Sequence, residues 1–267
     1  MDLQLAGKRA IVTGGSRGIG LAVASALVTE GVRVAVVARG KEALDAAARR
    51  LQHEHIGSHV VAVPADTTSE ASVEAMVETV EDAFGGVDIL VNAAAQPADP
   101  TAPKVLAGLR DDDLRREVET KVLGYVRCAR AVAPGMQRNG WGRIVNISGL
   151  AARQAGSAFG SIRNVAVSAL TKNLADELGP LGINVTVVHP GLTVTERIPG
   201  MVRGLASAAG ISEDEAQARL AHGVSIGRLV DAFEVADVVT FLCSPRSVAI
   251  NGDAIAVGGG VKGPIYY

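Results

Sequence analysis

The stretch Thr13-Gly14-Gly15-Ser16-Arg17-Gly18-Ile19-Gly20 closes a short apolar run, Arg9 to Thr13, and leads directly into a helical pattern. A junction of this kind calls for glycine when the backbone must turn tightly out of a strand and approach a phosphate. Without a Cβ it can do both, and the anion then rests at a helix N-terminus among unpaired N–H groups. A glycine-rich turn alone is a weak signal, and an ordinary turn is the competing reading. Placement between a first strand and a first helix favours a dinucleotide cradle.

Outward from this loop, runs rich in Val and Ile alternate with longer helical patterns. The candidate strands are Arg9–Thr13, Val32–Val37, Val60–Val63, Ile89–Val91, Arg143–Ile147, Ile183–Val188 and Ala254–Val257. Nearly unbroken apolar runs are how strands buried on both faces of a parallel sheet read. Between them, Ile19, Val23, Ala26 and Leu27 form one apolar stripe ending at Gly31 as a C-cap, and Val73, Met76, Val77, Val80 and Phe84 form another. Repeated β-then-α units predict an α/β fold: a single Rossmann-like domain over residues 1–267, with a doubly wound parallel sheet of about seven strands and helices on both faces. The segment 193–228 interrupts the alternation, is too helix-like for a linker, and reads as a lid over a substrate.

Composition narrows the function classes. Apolar residues make up 48% and charged residues 20%, which excludes a disordered or fibrous chain. A net charge of −2 with 3% aromatic residues removes the electrostatic and stacking case for nucleic acid or an anionic membrane. The two cysteines, Cys128 and Cys243, lack metal-site or redox spacing, so no metal is expected and both read as buried thiols. No signal-peptide core opens the chain, and no apolar stretch approaches the roughly 18 residues of a membrane span. The expectation is a cytoplasmic protein that takes a small-molecule substrate.

The cradle also carries a cofactor preference. A cofactor with a free ribose 2′-hydroxyl asks for Asp or Glu at the end of the second strand, about 20 residues beyond the glycines. Ala38-Arg39 stands there instead. Arg39 and Arg17 together can clamp a 2′-phosphate, so NADP(H) is expected over NAD(H); two solvated surface arginines are the bland alternative.

At this point the chain resembles the short-chain dehydrogenase/reductase family over nearly its whole length. The resemblance rests on the spacing of Gly14, Gly18 and Gly20, on Asp66-Thr67 after the third strand, and on Asn92-Ala93-Ala94 after the fourth. It continues in Gly142-Arg143-Ile144-Val145-Asn146-Ile147-Ser148 around the fifth and in Pro190-Gly191 with Thr193 and Thr195 after the sixth. The resemblance implies that Asp66 bonds the adenine ring, Asn92 lies along the adenine ribose, and Gly191 to Thr195 cover the nicotinamide. The implied cofactor-binding set is Gly14, Ser16, Arg17, Gly18, Ile19, Gly20, Arg39, Asp66, Thr67, Asn92, Ala93, Ala94, Pro190, Gly191, Thr193 and Thr195. A homo-oligomer, tetramer or dimer, is also implied, with Tyr266 and Tyr267 at a subunit interface.

The family's chemistry rests on Asn, Ser, Tyr and Lys, the last two one helical turn apart. Here the helix segment Leu170 to Leu178 is similar to the one that follows that pair, and counting back puts the tyrosine position at Gly160 and the lysine position at Asn164. A shifted register gives Ile162 and Ala166 and restores neither. The serine position falls on Gly149 beside Ser148, and the asparagine position falls on Lys121, so lysine and asparagine stand exchanged. Leu114, Val118, Lys121, Tyr125 and Ala129 recur on one face of one long helix, where Lys121 interrupts a buried stripe.

An ammonium there must pair, reach a wet cavity or lose its proton. The functional reading puts Lys121 in the active-site cavity near Asn164, with Ser148 binding a substrate oxygen. The structural reading has it snorkel to water or pair with Glu117. Ser157, Ser161 and Arg163 lie near the missing tyrosine, while Tyr125 and His189 read first as structural. Three functions follow. The first is an NADP(H)-dependent oxidoreductase of carbonyls or alcohols with catalytic residues Lys121, Ser148 and Asn164. The others are a non-redox isomerase, lyase or hydrolase on the same scaffold, and an inactive NADP(H)-binding protein. The cofactor motifs rank the oxidoreductase first.

Overall fold

A computed structural model describes residues 1–95 and 105–263; Tyr266 and Tyr267 lie outside the described residues. Each of the seven apolar runs forms a strand: β1 (Arg9–Thr13), β2 (Arg33–Ala38), β3 (Val60–Pro64), β4 (Ile89–Asn92), β5 (Gly142–Ile147), β6 (Ile183–Pro190) and, after the short β7 (Thr193–Val194) and β8 (Val230–Asp231), β9 (Ala254–Val257). The seven pair in parallel in the order β3-β2-β1-β4-β5-β6-β9, and the chain reverses direction across the sheet between β1 and β4. A crevice beyond the strand ends at such a reversal is where open α/β sheets bind ligands.

Alternating strand side chains divide the core into two layers. Val12, Val34 and Val36 pack with Val23 and Leu27 of α1 (Gly18–Thr29), Leu44 of α2 (Lys41–Glu54) and Val235 and Val239 of the C-terminal helix Ala232–Leu242. Ile11, Ala35 and Val37 face the other way, onto the whole stripe Val73, Met76, Val77, Val80 and Phe84 of α3 (Glu70–Phe84). The first helix buries more than its predicted stripe, adding Ala22, Ala24 and Val28, because it is held between the sheet and that C-terminal helix.

The long central helix departs from expectation. It begins as α4 (Asp111–Glu117), widens into a π turn over Val118–Leu123, and resumes as α5 (Gly124–Asn139). A π turn inserts one extra residue into the hydrogen-bond ladder and often marks a functional site. This one carries the buried Thr120 and Lys121. After β5 comes α6 (Ala158–Leu178), and the segment between β7 and β8 folds into α7 (Ile198–Ala209) and α8 (Glu213–His222), the latter opened by a Ser212/Glu215 capping box. Ile198, Val202, Ala206, Ala216 and Leu229 give these two helices a small core of their own. The C-terminal helix is α9 (Ala232–Leu242). Among the described residues, no helix is long and apolar enough to cross a membrane, and no group of three or more His, Cys, Asp or Glu could hold a metal ion.

Candidate active site

A cleft of about 540 Å³ opens at the carboxyl ends of the strands around the glycine-rich loop. Two of its glycines are enforced by contact: a Cβ on Gly14 would stand 2.7 Å from the Ala93 carbonyl oxygen, and one on Gly20 2.3 Å from the Gly14 carbonyl oxygen. Thr13 Oγ1 accepts hydrogen bonds from the N–H groups of Ala93 (3.1 Å) and Ala94 (3.3 Å), tying the loop to the end of β4. Gly14, Ser16, Arg17, Gly18, Ile19, Gly20, Arg39, Asp66, Thr67, Ala93, Ala94, Gly191, Thr193 and Thr195 all line this cleft. Asp66 Oδ1 accepts from the Thr68 N–H and hydroxyl, at 3.0 and 2.9 Å. Those bonds, with the charge of Arg39, hold its carboxyl below the usual range.

Two residues assigned to the cofactor, Asn92 and Pro190, are not among those lining the cleft. Asn92 is fully buried, and its Nδ2 donates to Asn146 Oδ1 at 3.0 Å, while Asn146 Nδ2 donates to Thr171 Oγ1 at 2.9 Å. Asn92 and Asn146 are register partners on β4 and β5, so the side chain is committed to the sheet. Pro190 is the buried last residue of β6, opposite Val257.

At the far end of the cleft lies Lys121. Its Nζ donates to the Ser148 carbonyl oxygen at 2.9 Å and to Asn164 Oδ1 at 3.1 Å, with only 4% of the residue exposed. Burial pulls its pKa from the usual 10.5 down to about 7. Snorkelling to the outer surface is not what the side chain does, and Glu117 is taken by an ion pair with Arg163. Lys121 and Ser148 both line the cleft, whereas Asn164 sits behind them, 3% exposed.

The positions around Lys121 are occupied as follows. A Cβ on Gly149 would meet Asn164 Nδ2 at 3.1 Å. Gly160 is buried in the first turn of α6, where its N–H donates to the capping Ser157 Oγ at 3.2 Å. Ile162, from the shifted register, is 48% exposed, whereas Asn164 points inward. Ser161 Oγ donates to the Gln154 carbonyl at 3.1 Å, and Tyr125 OH to the Ile147 carbonyl at 2.9 Å. Burial pushes the Tyr125 phenol well above its usual range, and the side chain does not reach the cleft.

Sequence reasoning missed the support behind Lys121. The Asn164 carbonyl accepts from Ser148 Oγ (3.1 Å) and from Ser168 Oγ (3.2 Å). With its hydroxyl proton spent there, Ser168 Oγ must accept from His189 Nε2, 3.3 Å away, leaving His189 Nδ1 to accept from the Gly149 N–H at 3.4 Å. Burial, with the charges of Arg153 and Lys121, lowers the His189 pKa to about 4, so the ring is neutral. The only sequence signal for Ser168 is its place one helical turn after Asn164. Glu196 and Met201 also face the cleft from the 193–228 segment, and no motif announces them.

Residues 8–219 match the family described as short chain dehydrogenase. The chain is similar to the short-chain reductase protein NovJ of Streptomyces niveus, 34% identical over 94% of this chain and 92% of the relative. It is similar as well to the 3-oxoacyl-[acyl-carrier-protein] reductase FabG of Vibrio cholerae, 32% identical over 97% and 99%. Among solved structures, the L-sorbose reductase of Gluconobacter frateurii, complexed with NADPH and L-sorbose, superposes with a TM-score of 0.92 at 31% identity, covering 99% of this chain and 100% of that one.

Proposed function

The chain belongs to the short-chain dehydrogenase family, and from that premise we propose that it is an NADP(H)-dependent reductase of small carbonyl compounds in which Lys121 donates the proton. The observation that carries this reading is the Lys121 amine, buried at the end of the glycine-lined cleft and held by Ser148 and Asn164. The residues fit the nucleotide: the cradle admits no Cβ at Gly14 or Gly20, and Arg17 and Arg39 share the cleft with no acid at the end of β2. The FabG and NovJ relatives are named reductases, and the sorbose reductase structure holds NADPH beside a ketose.

In this reading Arg17 and Arg39 hold the 2′-phosphate, and the N–H groups opening α1 hold the diphosphate. Residues 193–228 form the lid of a single domain. Bound there, the reduced nicotinamide supplies a hydride for the carbonyl carbon. Lys121 as an ammonium has three protons. Two are committed to the Ser148 carbonyl and Asn164 Oδ1, and the third bonds the oxygen of a substrate in the cleft that Lys121 lines and is transferred as negative charge develops. Asn164 is the positioning group, fixed through its own carbonyl by Ser148 and Ser168. Tyrosine is thus dispensable at the Gly160 position.

Substrate-dependent NADPH oxidation over a panel of 3-oxoacyl thioesters and ketoses tests this. Turnover of at least one member is expected, reduced about 10²- to 10⁴-fold in Lys121→Met. Turnover unaffected by that substitution would contradict the role of Lys121, and tight NADPH binding with no turnover would contradict the reductase reading.

A further inference from the structure

We propose that Lys121 is also a nucleophile, capturing unhindered aldehydes and ketones that enter the cleft as an imine, an activity that needs no nucleotide. The proposal rests on the cleft being a carbonyl site and goes beyond the reductase reading. It starts from hydrogen-bond valence. The amine has two fixed acceptors, the Ser148 carbonyl at 2.9 Å and Asn164 Oδ1 at 3.1 Å. A neutral amine has two N–H bonds and one lone pair. The two N–H bonds satisfy the two acceptors, which leaves the lone pair at the remaining tetrahedral vertex of a nitrogen whose side chain lines the cleft.

Among the described residues, no carboxylate pairs with the charged form; its two acceptors are neutral. The carboxylates on the same helical stretch are spent elsewhere, Glu117 on Arg163 and Glu119 on Arg127. By contrast, Lys41 and Lys172 lie exposed and paired with Asp45 and Asp176, and Lys262 donates to the His222 carbonyl at the surface. A desolvated lysine without an anionic partner is the recognised setting for amine nucleophiles, and a pKa of about 7 leaves a large neutral fraction at neutral pH.

The step balances without an oxidant or reductant. The Lys121 nitrogen attacks the carbonyl carbon to give a carbinolamine. A C=N bond then forms as the C–O bond breaks, and the oxygen leaves as water with the two amine protons. Re-protonation of the imine restores one N–H for Asn164 Oδ1.

The test uses the full chain with propanal and sodium cyanoborohydride at pH 7, with and without NADPH, followed by peptide mass spectrometry. Propylation at Lys121 is expected at least about tenfold faster than at Lys41 or Lys172, rising as pH is raised from 6 to 8. Because the wild-type pH dependence carries this result, it does not depend on a variant folding; Lys121→Arg should lose the fast phase. Labelling of Lys41 and Lys172 with Lys121 unmodified would overturn the proposal. If that occurs while NADPH-dependent reduction proceeds, the nucleophile falls and the reductase reading stands. Labelled Lys121 without reduction of any carbonyl is the reverse.

Discussion

The two ends of the cleft are made of different material. At the cradle the work is done by backbone, and Gly14 and Gly20 are defined by a Cβ that would strike a carbonyl oxygen 2.7 or 2.3 Å away. At the other end two side chains, Lys121 from the π turn and Asn164 from α6, meet each other and the Ser148 carbonyl just after β5. The first is a steric condition that falls on the glycines of one short loop, Gly14 against the end of β4 and Gly20 against Gly14 itself. The second is an electrostatic condition, a desolvated amine among neutral acceptors, that exists only once the chain is folded.

Substitutions that act on one end alone sharpen this contrast. The largest effect is expected from Lys121→Met, about 10²- to 10⁴-fold in kcat with NADPH affinity unchanged; a parallel loss of nucleotide affinity would show the two ends to be one unit. Next, Arg39→Ala should weaken NADPH binding by roughly 10- to 100-fold, as removal of a charge-assisted bond does, while leaving NADH binding unchanged, measured by nicotinamide fluorescence. Equal weakening of both nucleotides would place Arg39 away from the 2′-phosphate.

A third effect concerns stability. Lys121 binds its proton more weakly in the folded chain, at about 7, than in the unfolded one at 10.5. Between those values the unfolded state holds more protons, so raising pH through the window stabilises the fold, and below pH 7 the whole penalty, about 5 kcal/mol, is present. Lys121→Met removes that penalty but strands the Ser148 carbonyl and Asn164 Oδ1, at about 1–3 kcal/mol each. The signature to look for is a difference in Tm, variant minus wild type, that falls as pH rises from 7 to 10. A difference independent of pH would mean that Lys121 titrates normally. The neutral His189 acts in the same direction at lower pH, costing stability as pH falls from 6.5 toward 4. The smallest effect is expected from Ser168→Ala, about 1 kcal/mol in stability with a few-fold loss in kcat and none in nucleotide affinity.

The fold was legible because a parallel sheet covered on both faces leaves uninterrupted apolar runs, and each of those runs is a strand. The π turn was not, since its widened ladder leaves no mark on apolar spacing; Leu114, Val118, Lys121, Tyr125 and Ala129 read as one α-helical face. The proximity of Lys121 to Asn164 showed in the sequence as an exchange of two residue types between positions. Asn92 shows the limit of a motif, which places a residue at a strand end without saying which way its side chain turns; here it turns into β5. The His189 and Ser168 support is invisible for a related reason, as its links cross from β6 to α6 and depend on which hydroxyl proton is already spent.

The central claim is that a buried amine replaces a phenol as the proton donor. The most direct measurement is the pH dependence of kcat for NADPH-dependent carbonyl reduction in the wild type and in Lys121→Arg. A rate that falls as pH rises through about 7, with that inflection absent in the arginine variant, is the predicted result. A rate that holds level past pH 9, or an inflection that survives in Lys121→Arg, would contradict it.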